Sequence, residues 1–209
     1  MNKMQHPLTA LLGAEGYKVV LASGSPRRQE LLTGLGIDFE VRLLPDLDET
    51  YPEDLYGEKI PSYISRCKAE AYKPTIQPKE LLITADTIVW LDGEMLGKPV
   101  NDEDARAILK RLSGKTHQVI TAVCLTTTDW QKSFTAVTDV SFSDLTEQEI
   151  EYYVTNYLPL DKAGAYGVQE WIGYVGVEGI HGSYFNVMGL PIQKLYKELM
   201  AIRNHNCVE

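Results

Sequence analysis

Tyr17-Lys18-Val19-Val20-Leu21-Ala22-Ser23-Gly24-Ser25-Pro26-Arg27-Arg28-Gln29-Glu30-Leu31-Leu32 joins a short Val-rich apolar run to a helix start through one glycine turn. Tyr17 to Leu21 has the character of a buried strand, and Gly24 lets the chain turn sharply after it. Ser25 stands at an N-cap and Pro26 at the first helical position, so a helix is predicted to about Leu35, with Gly36 ending it. A strand that feeds a helix directly is the opening unit of an α/β architecture. The helix start also presents unpaired N–H groups at the positive end of its dipole, which suits an anion. Arg27 and Arg28 add two guanidiniums, and Ser23 and Ser25 two hydroxyls. On these residues alone the stretch is equally an ordinary capped helix with two solvated arginines.

A second cluster is Leu81-Leu82-Ile83-Thr84-Ala85-Asp86-Thr87-Ile88-Val89-Trp90-Leu91, an apolar strand with an acid at its middle. A carboxylate there is costly unless it is paired, bound to metal or facing a cleft. Asp92-Gly93 is a hairpin signal, and the return through Glu94-Met95-Leu96-Gly97-Lys98-Pro99 brings Lys98 back towards Asp86. Acid and lysine are compatible with a simple ion pair and with a site.

Five motifs occur in order: Ser23-Gly24-Ser25-Pro26-Arg27-Arg28, Ala85-Asp86-Thr87-Ile88-Val89, Gly97-Lys98-Pro99, Leu112-Ser113-Gly114-Lys115-Thr116-His117, and Leu160-Asp161-Lys162-Ala163-Gly164-Ala165-Tyr166-Gly167-Val168-Gln169. With them the chain resembles the Maf family of nucleoside triphosphate pyrophosphatases, over roughly residues 17 to 199. The resemblance implies an α/β fold of the Maf/ITPase-like kind, a central mixed β-sheet flanked by helices, with two lobes around an active-site cleft, and a homodimer. It implies hydrolysis of a nucleoside triphosphate at the α–β anhydride. Arg27, Thr87 and Gln169 match the positions tied in that family to pyrimidine choice, which points to the branch acting on dTTP and UTP, with a role in cleaning modified pyrimidine nucleotides from the pool. In the acidic loop Pro45-Asp46-Leu47-Asp48-Glu49, Glu49 matches the family's functional acid, with Asp48 a near competitor because the loop is one residue longer than in relatives. Lys68 matches a site lysine.

The chain has 209 residues, 44% of them hydrophobic, enough for one folding unit, and no low-complexity tract interrupts it. We assign residues 1–16 to an N-terminal extension, 17–203 to a single catalytic domain and 204–209 to a tail. Net charge is −9, so bulk electrostatics repel nucleic acid, and the basic residues of the motifs stand out against an acidic background. That favours a small anionic ligand. The absence of a membrane-spanning run or signal-peptide pattern predicts a cytoplasmic protein without membrane partners. Cys67, Cys124 and Cys207 are odd in number and widely spaced, which predicts reduced thiols and no zinc site.

Among the remaining elements, Phe39 to Leu44 reads as a strand, and Tyr63, Ile64, Cys67 and Ala71 follow helical spacing over Pro61 to Tyr72. Asp102 to Leu112 has acids first and bases last, as a helix dipole favours. His117 to Thr127 and Lys132 to Phe142 form a hairpin around Thr128-Asp129-Trp130-Gln131, and Thr146 with Glu149 makes a capping box for a helix through about Tyr157. Tyr152, Tyr153 and Tyr157 are packing residues. Leu158 to Gln169 lacks helical period and reads as a loop near a ligand, where Asp161 and Lys162 either pair or line the site. The last helix starts at Pro191 and runs to about Arg203.

The chemistry implied by the resemblance demands cations around a triphosphate and a positioned acceptor for the proton of the attacking water. Arg27, Arg28, Lys68 and Lys98 supply charge, with Ser23 and the loop N–H groups. Glu49 and Asp86 suit Mg²⁺ or Mn²⁺, which take oxygen ligands. Asp86 is assigned as the essential carboxylate, either proton acceptor or metal ligand. Gln169 offers the donor and the acceptor needed to read the O4 and N3–H edge of uracil or thymine. One departure from relatives is Gln169-Glu170-Trp171-Ile172-Gly173 in place of a glycine-rich stretch, which is expected to alter the rim of the base pocket. The competing readings are a pyrophosphatase for another modified nucleotide such as 7-methyl-GTP, and a nucleotide-binding regulator of cell division without turnover.

Overall fold

The computed structural model describes residues 6–45 and 47–202. Seven strands form one mixed sheet, in which β1 (Lys18–Leu21), β2 (Phe39–Val41), β3 (Glu80–Leu91), β5 (Thr116–Thr126), β6 (Gln131–Phe142) and β7 (Val177–His181) lie in the order β2-β1-β3-β5-β6-β7, and β4 (Glu94–Leu96) pairs with the far end of β3. β1 runs parallel to β2 and β3; the other pairings are antiparallel.

The alternation of β3 divides the core in two. Leu81, Ile83, Ala85, Val89 and Leu91 point into the main core, whereas Leu82 and Ile88 join the smaller clusters beneath α3 (Lys59–Tyr72). The main core is closed by α1 (Pro7–Glu15), α2 (Pro26–Gly34), α4 (Asp102–Leu112), α5 (Glu147–Tyr157) and α8 (Ile192–Met200), each of which contributes buried side chains to it. Short helices α6 (Trp171–Gly176) and α7 (Tyr184–Val187) flank β7.

The capping chemistry fixes several boundaries. Asn101 accepts from Asp104 N at 2.8 Å before α4, and Thr146 and Glu149 form the reciprocal capping box of α5. At the start of α2, Ser25 takes the extended N-cap conformation but its hydroxyl makes no capping bond. β2 ends three residues short of the expected Leu44. The last bond of that ladder runs from Arg42 N to Leu21 O at 3.1 Å, and the Arg42 side chain holds Glu80 through two bonds of 2.8 Å. The Arg42 guanidinium pulls the Glu80 carboxyl down to about 2.

Residues 7–15 do not hang outside the fold. Leu8, Leu11 and Leu12 of α1 are buried in the main core, each worth roughly 1.5–3 kcal/mol of burial. The helix α6 was also absent from the sequence expectation. Its Gly173 lies so close to Val168 that a Cβ would sit 1.8 Å from the carbonyl oxygen, so only glycine permits this packing. The last helix begins at Ile192, with Pro191 as its N-cap, and ends at Met200, short of the expected Arg203, where Ala201 forms its C-cap; the 204–209 tail and Cys207 lie outside the described residues. Cys67 and Cys124 are free thiols. No helix among the described residues is long and apolar enough to cross a membrane.

Unequal strand lengths open the site. β1 pairs with β3 only as far as Leu21 opposite Ile83, while β4 rejoins the same edge at Val89. Between them, among the described residues, the edge of β3 from Thr84 to Ile88 carries no strand, and the start of α2 faces this gap.

Candidate active site

The loop after β1 turns its polar groups into the gap. Ser23 Oγ accepts from Ser25 N and from Arg28 Nη1, both at 3.3 Å. Arg28 spans the gap: Nη1 donates to Ala85 O at 3.0 Å, Nη2 to Thr87 Oγ1 at 3.1 Å and Nε to Gly189 O at 2.9 Å. It thereby supplies a backbone acceptor of β3 with the partner a strand would have provided. Burial lowers the Arg28 pKa; Asp86 opposes this and Arg27 reinforces it. A guanidinium remains charged throughout the working range. Thr87, which exchanges a further 3.0 Å bond with Thr121, is therefore committed to this clamp. Arg27 points elsewhere, to Asp161 Oδ2 at 3.1 Å.

On the other face of β3, α3 presents a buried stripe that includes Ile60, Ile64, Lys68 and Tyr72, at turn spacing. Lys68 therefore projects onto the α3 side of β3, and its Nζ lies 2.9 Å from Asp86 Oδ1 and 2.8 Å from Glu49 Oε1. Asp86 and Lys68 are 9% and 8% exposed, so each answers the other's burial cost. The partner of Asp86 is thus Lys68. Lys98 comes back into the same cavity but faces Glu49, at 3.9 Å. Partial burial would raise the Glu49 carboxyl, but the Lys68 hydrogen bond and the charges of Lys68, Lys98 and Arg28 outweigh it and hold the pKa below its ordinary value. Asp48 turns back to accept from Thr50 N at 2.8 Å and does not line the cavity. Tyr72, one turn beyond Lys68, accepts from Leu44 N at 2.8 Å and donates to Arg42 O at 3.0 Å, which anchors the start of the Glu49 loop.

Glu49 Oε1 and Asp86 Oδ1 converge on Lys68 Nζ, which brings two carboxylates, the donors a hard divalent cation takes, together in the cavity. Among the described residues no group of three or more His, Cys, Asp or Glu side chains could hold a metal ion, so there is no all-protein cage. This donor set fits a hard cation that completes its shell with water and phosphate oxygens.

The far wall comes from Leu158 to Gly189. The segment 158–169 contains two short 3₁₀ turns, Pro159–Asp161 and Ala163–Ala165. Gly164, at φ 70°, donates its N–H to Gly97 O at 3.0 Å; a Cβ there would come 2.6 Å from Val89 Cγ2. Lys162 is buried between Asp161 Oδ1 at 2.7 Å and Glu170 Oε1 at 3.2 Å. Asp161 and Lys162 therefore pair with each other and line the cavity as well. Gln169 also lines it, and its buried Oε1 has no hydrogen-bond partner. Behind the wall, His117 Nε2 and the Tyr166 phenol oxygen lie 2.7 Å apart, and burial pulls the imidazole down to about 4.

Glu170 and Trp171 do not form the pocket rim. Glu170 turns inward to Tyr153 and Lys162, while Trp171 starts α6 and packs edge-on against Tyr152 with ring centroids 4.7 Å apart.

All twelve residues nominated from the sequence line one cavity of about 650 Å³, which holds five cationic side chains against three carboxylates. That excess of positive charge occurs in a protein of net charge −9. Tyr72, Tyr166 and the Gly189 carbonyl also belong to it. Tyr166 sits within the last of the five motifs, whereas Tyr72 is signalled only by its place one turn after Lys68 and Gly189 by none of them.

The model of the Maf-like protein family matches residues 18–202. A dTTP/UTP pyrophosphatase of Bacteroides thetaiotaomicron is 67% identical over 186 residues, covering 89% of this chain and 96% of that one. One from Bacteroides fragilis is 67% identical over 192 residues, covering 92% and 100%. One from Porphyromonas gingivalis is 52% identical, covering 91% and 96%. Among solved structures, the Staphylococcus aureus Ham1 protein shows a distant likeness, with 17% identity, a TM-score of 0.46 and coverage of 61% of this chain and 72% of that one. On the family match and these identities, the chain belongs to the Maf-like protein family.

Proposed function

We propose that the protein is a nucleoside triphosphate pyrophosphatase that hydrolyses dTTP and UTP to the monophosphate and pyrophosphate. The observation that carries this reading is the convergence of five cations and the Glu49–Asp86 carboxylates on one cavity whose far wall bears Gln169. Hydrolysis at the α phosphorus must overcome repulsion by anionic oxygens and stabilise the charge gained by the departing pyrophosphate. Arg27 and Lys98 meet that charge from the open side and Lys162 from the far wall, and Arg28 fixes Ser23, β3 and Gly189 into the cradle behind it. Asp86, held by Lys68, is placed to accept the proton of the attacking water, and with Glu49 it would hold a divalent cation. Mg²⁺ or Mn²⁺, held by Glu49 and Asp86, would neutralise phosphate charge. Gln169 presents an amide donor and an unpaired acceptor, which match the N3–H and O4 of uracil or thymine. The methyl group at C5 distinguishes the two bases and leaves that edge unchanged, in keeping with a site that accepts both. A homodimer acting in the cytoplasm belongs to the same proposal.

The experiment is pyrophosphate release from dTTP, UTP, CTP, GTP and 7-methyl-GTP with Mg²⁺ or Mn²⁺, run beside Asp86→Asn. Turnover of dTTP and UTP that falls ~100-fold or more in the folded variant is the expected result. Turnover confined to another base would overturn the base assignment, and undiminished turnover in the variant would remove Asp86 from the chemistry.

A further inference from the structure

We infer that Glu170 is a positioning residue that couples the phosphate side of the cavity to the turn bearing Gln169. The inference rests on the function proposed above for its choice of ligands. Glu170 N–H donates to Gly167 O at 2.9 Å and closes the turn 167–170. Its carboxylate then reaches back over that turn. One oxygen accepts from Tyr153 O–H, and the same phenol oxygen accepts from Gly167 N–H at 3.0 Å. Burial first, and the Glu170 hydrogen bond next, raise the Tyr153 pKa and keep the phenol a donor. The other oxygen lies 3.2 Å from Lys162 Nζ. Position 167 is a glycine in keeping with this arrangement, since a Cβ there would stand 2.8 Å from the Glu170 carboxyl carbon.

The second partner of Lys162 is of a different kind. Asp161 is 60% exposed and is shared with Arg27, whereas Glu170 is 21% exposed and, among the described residues, forms an ion pair with no other cation. A triphosphate that draws Arg27 and Lys162 towards its oxygens competes with Asp161 for both. Glu170 is the acid that holds Lys162 against the wall during that exchange, and through Tyr153 it holds Gly167, two residues from Gln169. Removing a mere bystander acid from a polyanion site would tighten phosphate binding, because one negative charge is lost. Removing a positioning acid does the opposite, and the sign of the effect separates the two roles.

The test measures binding of UMP and of inorganic pyrophosphate by calorimetry, with kcat and KM for UTP and CTP, in the wild type, Glu170→Ala, Glu170→Gln and Tyr153→Phe. Glu170→Ala should weaken both UMP and pyrophosphate about tenfold and raise KM for UTP similarly, with kcat within about threefold, the scale of one lost charged hydrogen bond. Its preference for UTP over CTP should fall about fivefold, less than a full lost base contact. Tyr153→Phe, which cuts only the Gly167 arm, should weaken UMP and leave pyrophosphate unchanged. Glu170→Gln keeps one oxygen for two partners and should fall between wild type and Glu170→Ala. If Glu170→Ala does not fold, the other two variants carry the comparison. Unchanged or tighter pyrophosphate binding in both Glu170 variants would overturn the inference. Absence of dTTP and UTP turnover in the wild type would overturn the functional reading instead, while calorimetry would still judge the Glu170 link.

Discussion

Lys68→Met replaces the cation between Glu49 and Asp86 with an apolar side chain of similar length, and the structure gives the size of the penalty. Both carboxylates approach Nζ within 2.9 Å, so without it two negative oxygens face each other across no more than about 6 Å. At an effective dielectric of about 20 that repulsion is roughly 3 kcal/mol. The Glu49 side chain is 49% exposed, which screens the term to about 1 kcal/mol. Asp86 is not rescued by solvent in that way, and leaving a buried acid without its partner costs about 3–5 kcal/mol. For a chain of this size the sum lowers Tm by on the order of 10 °C. A divalent cation that binds the two acids relieves the same repulsion, so excess Mg²⁺ or Mn²⁺ should raise Tm of Lys68→Met by more than it raises Tm of the wild type. Thermal unfolding with and without the cation measures both effects. Equal cation shifts in the two proteins would refute the view that Glu49 and Asp86 form a cation-binding pair. An unchanged Tm would refute the claim that Lys68 balances Asp86.

His117→Phe tests the buried imidazole. With a folded pKa of about 4 against about 6.5 unfolded, the unfolded state binds more protons, so this residue's share of stability is full above about 6.5 and is lost as pH falls towards 4. That share is at most about 3 kcal/mol. The variant should be less stable at pH 7, since Tyr166 loses its partner, but its stability should fall less steeply between pH 6.5 and 4; denaturant titrations across that range would show parallel slopes if the reading is wrong. Leu8→Ala in α1 should cost about 2–5 kcal/mol, as a buried leucine in the main core does; a midpoint within error of wild type would show that α1 is dispensable.

What the sequence makes legible is local chemistry. The capping box at Thr146, the acid-to-base gradient of α4 and the Pro26 start of α2 are written within a few residues, and those helices begin where the pattern says. The elements that escape depend on distant contacts. The core role of α1 is decided by the apolar surface awaiting its three leucines, and α6 by the room Gly173 leaves for the Val168 carbonyl. The same distinction governs the site. Hairpin logic directs Lys98 at Asp86 because the two are neighbours in sequence, yet the ion pair is made by Lys68, which reaches Asp86 by crossing from helix to sheet. Arg28 likewise reaches a carbonyl 161 residues away, and no spacing rule announces such a bond.

One consequence of strand length was written in the chain from the start. The first apolar run is short and the Asp86 run is long; β1 has 4 residues and β3 has 12. In parallel register from their N-terminal ends, the longer strand must outrun the shorter, and Asp86 falls three residues beyond the last pair, Leu21 with Ile83. An acid at that position stands beside a break in the sheet, with its side chain on the α3 face. From one face α3 supplies Lys68 to it, and from the other Arg28 closes on Ala85 and Thr87. Cation and acid can therefore meet a phosphate without either being buried under a neighbouring strand. Were β1 two or three residues longer, its backbone would occupy the place of the Arg28 guanidinium, and the cleft would become continuous sheet.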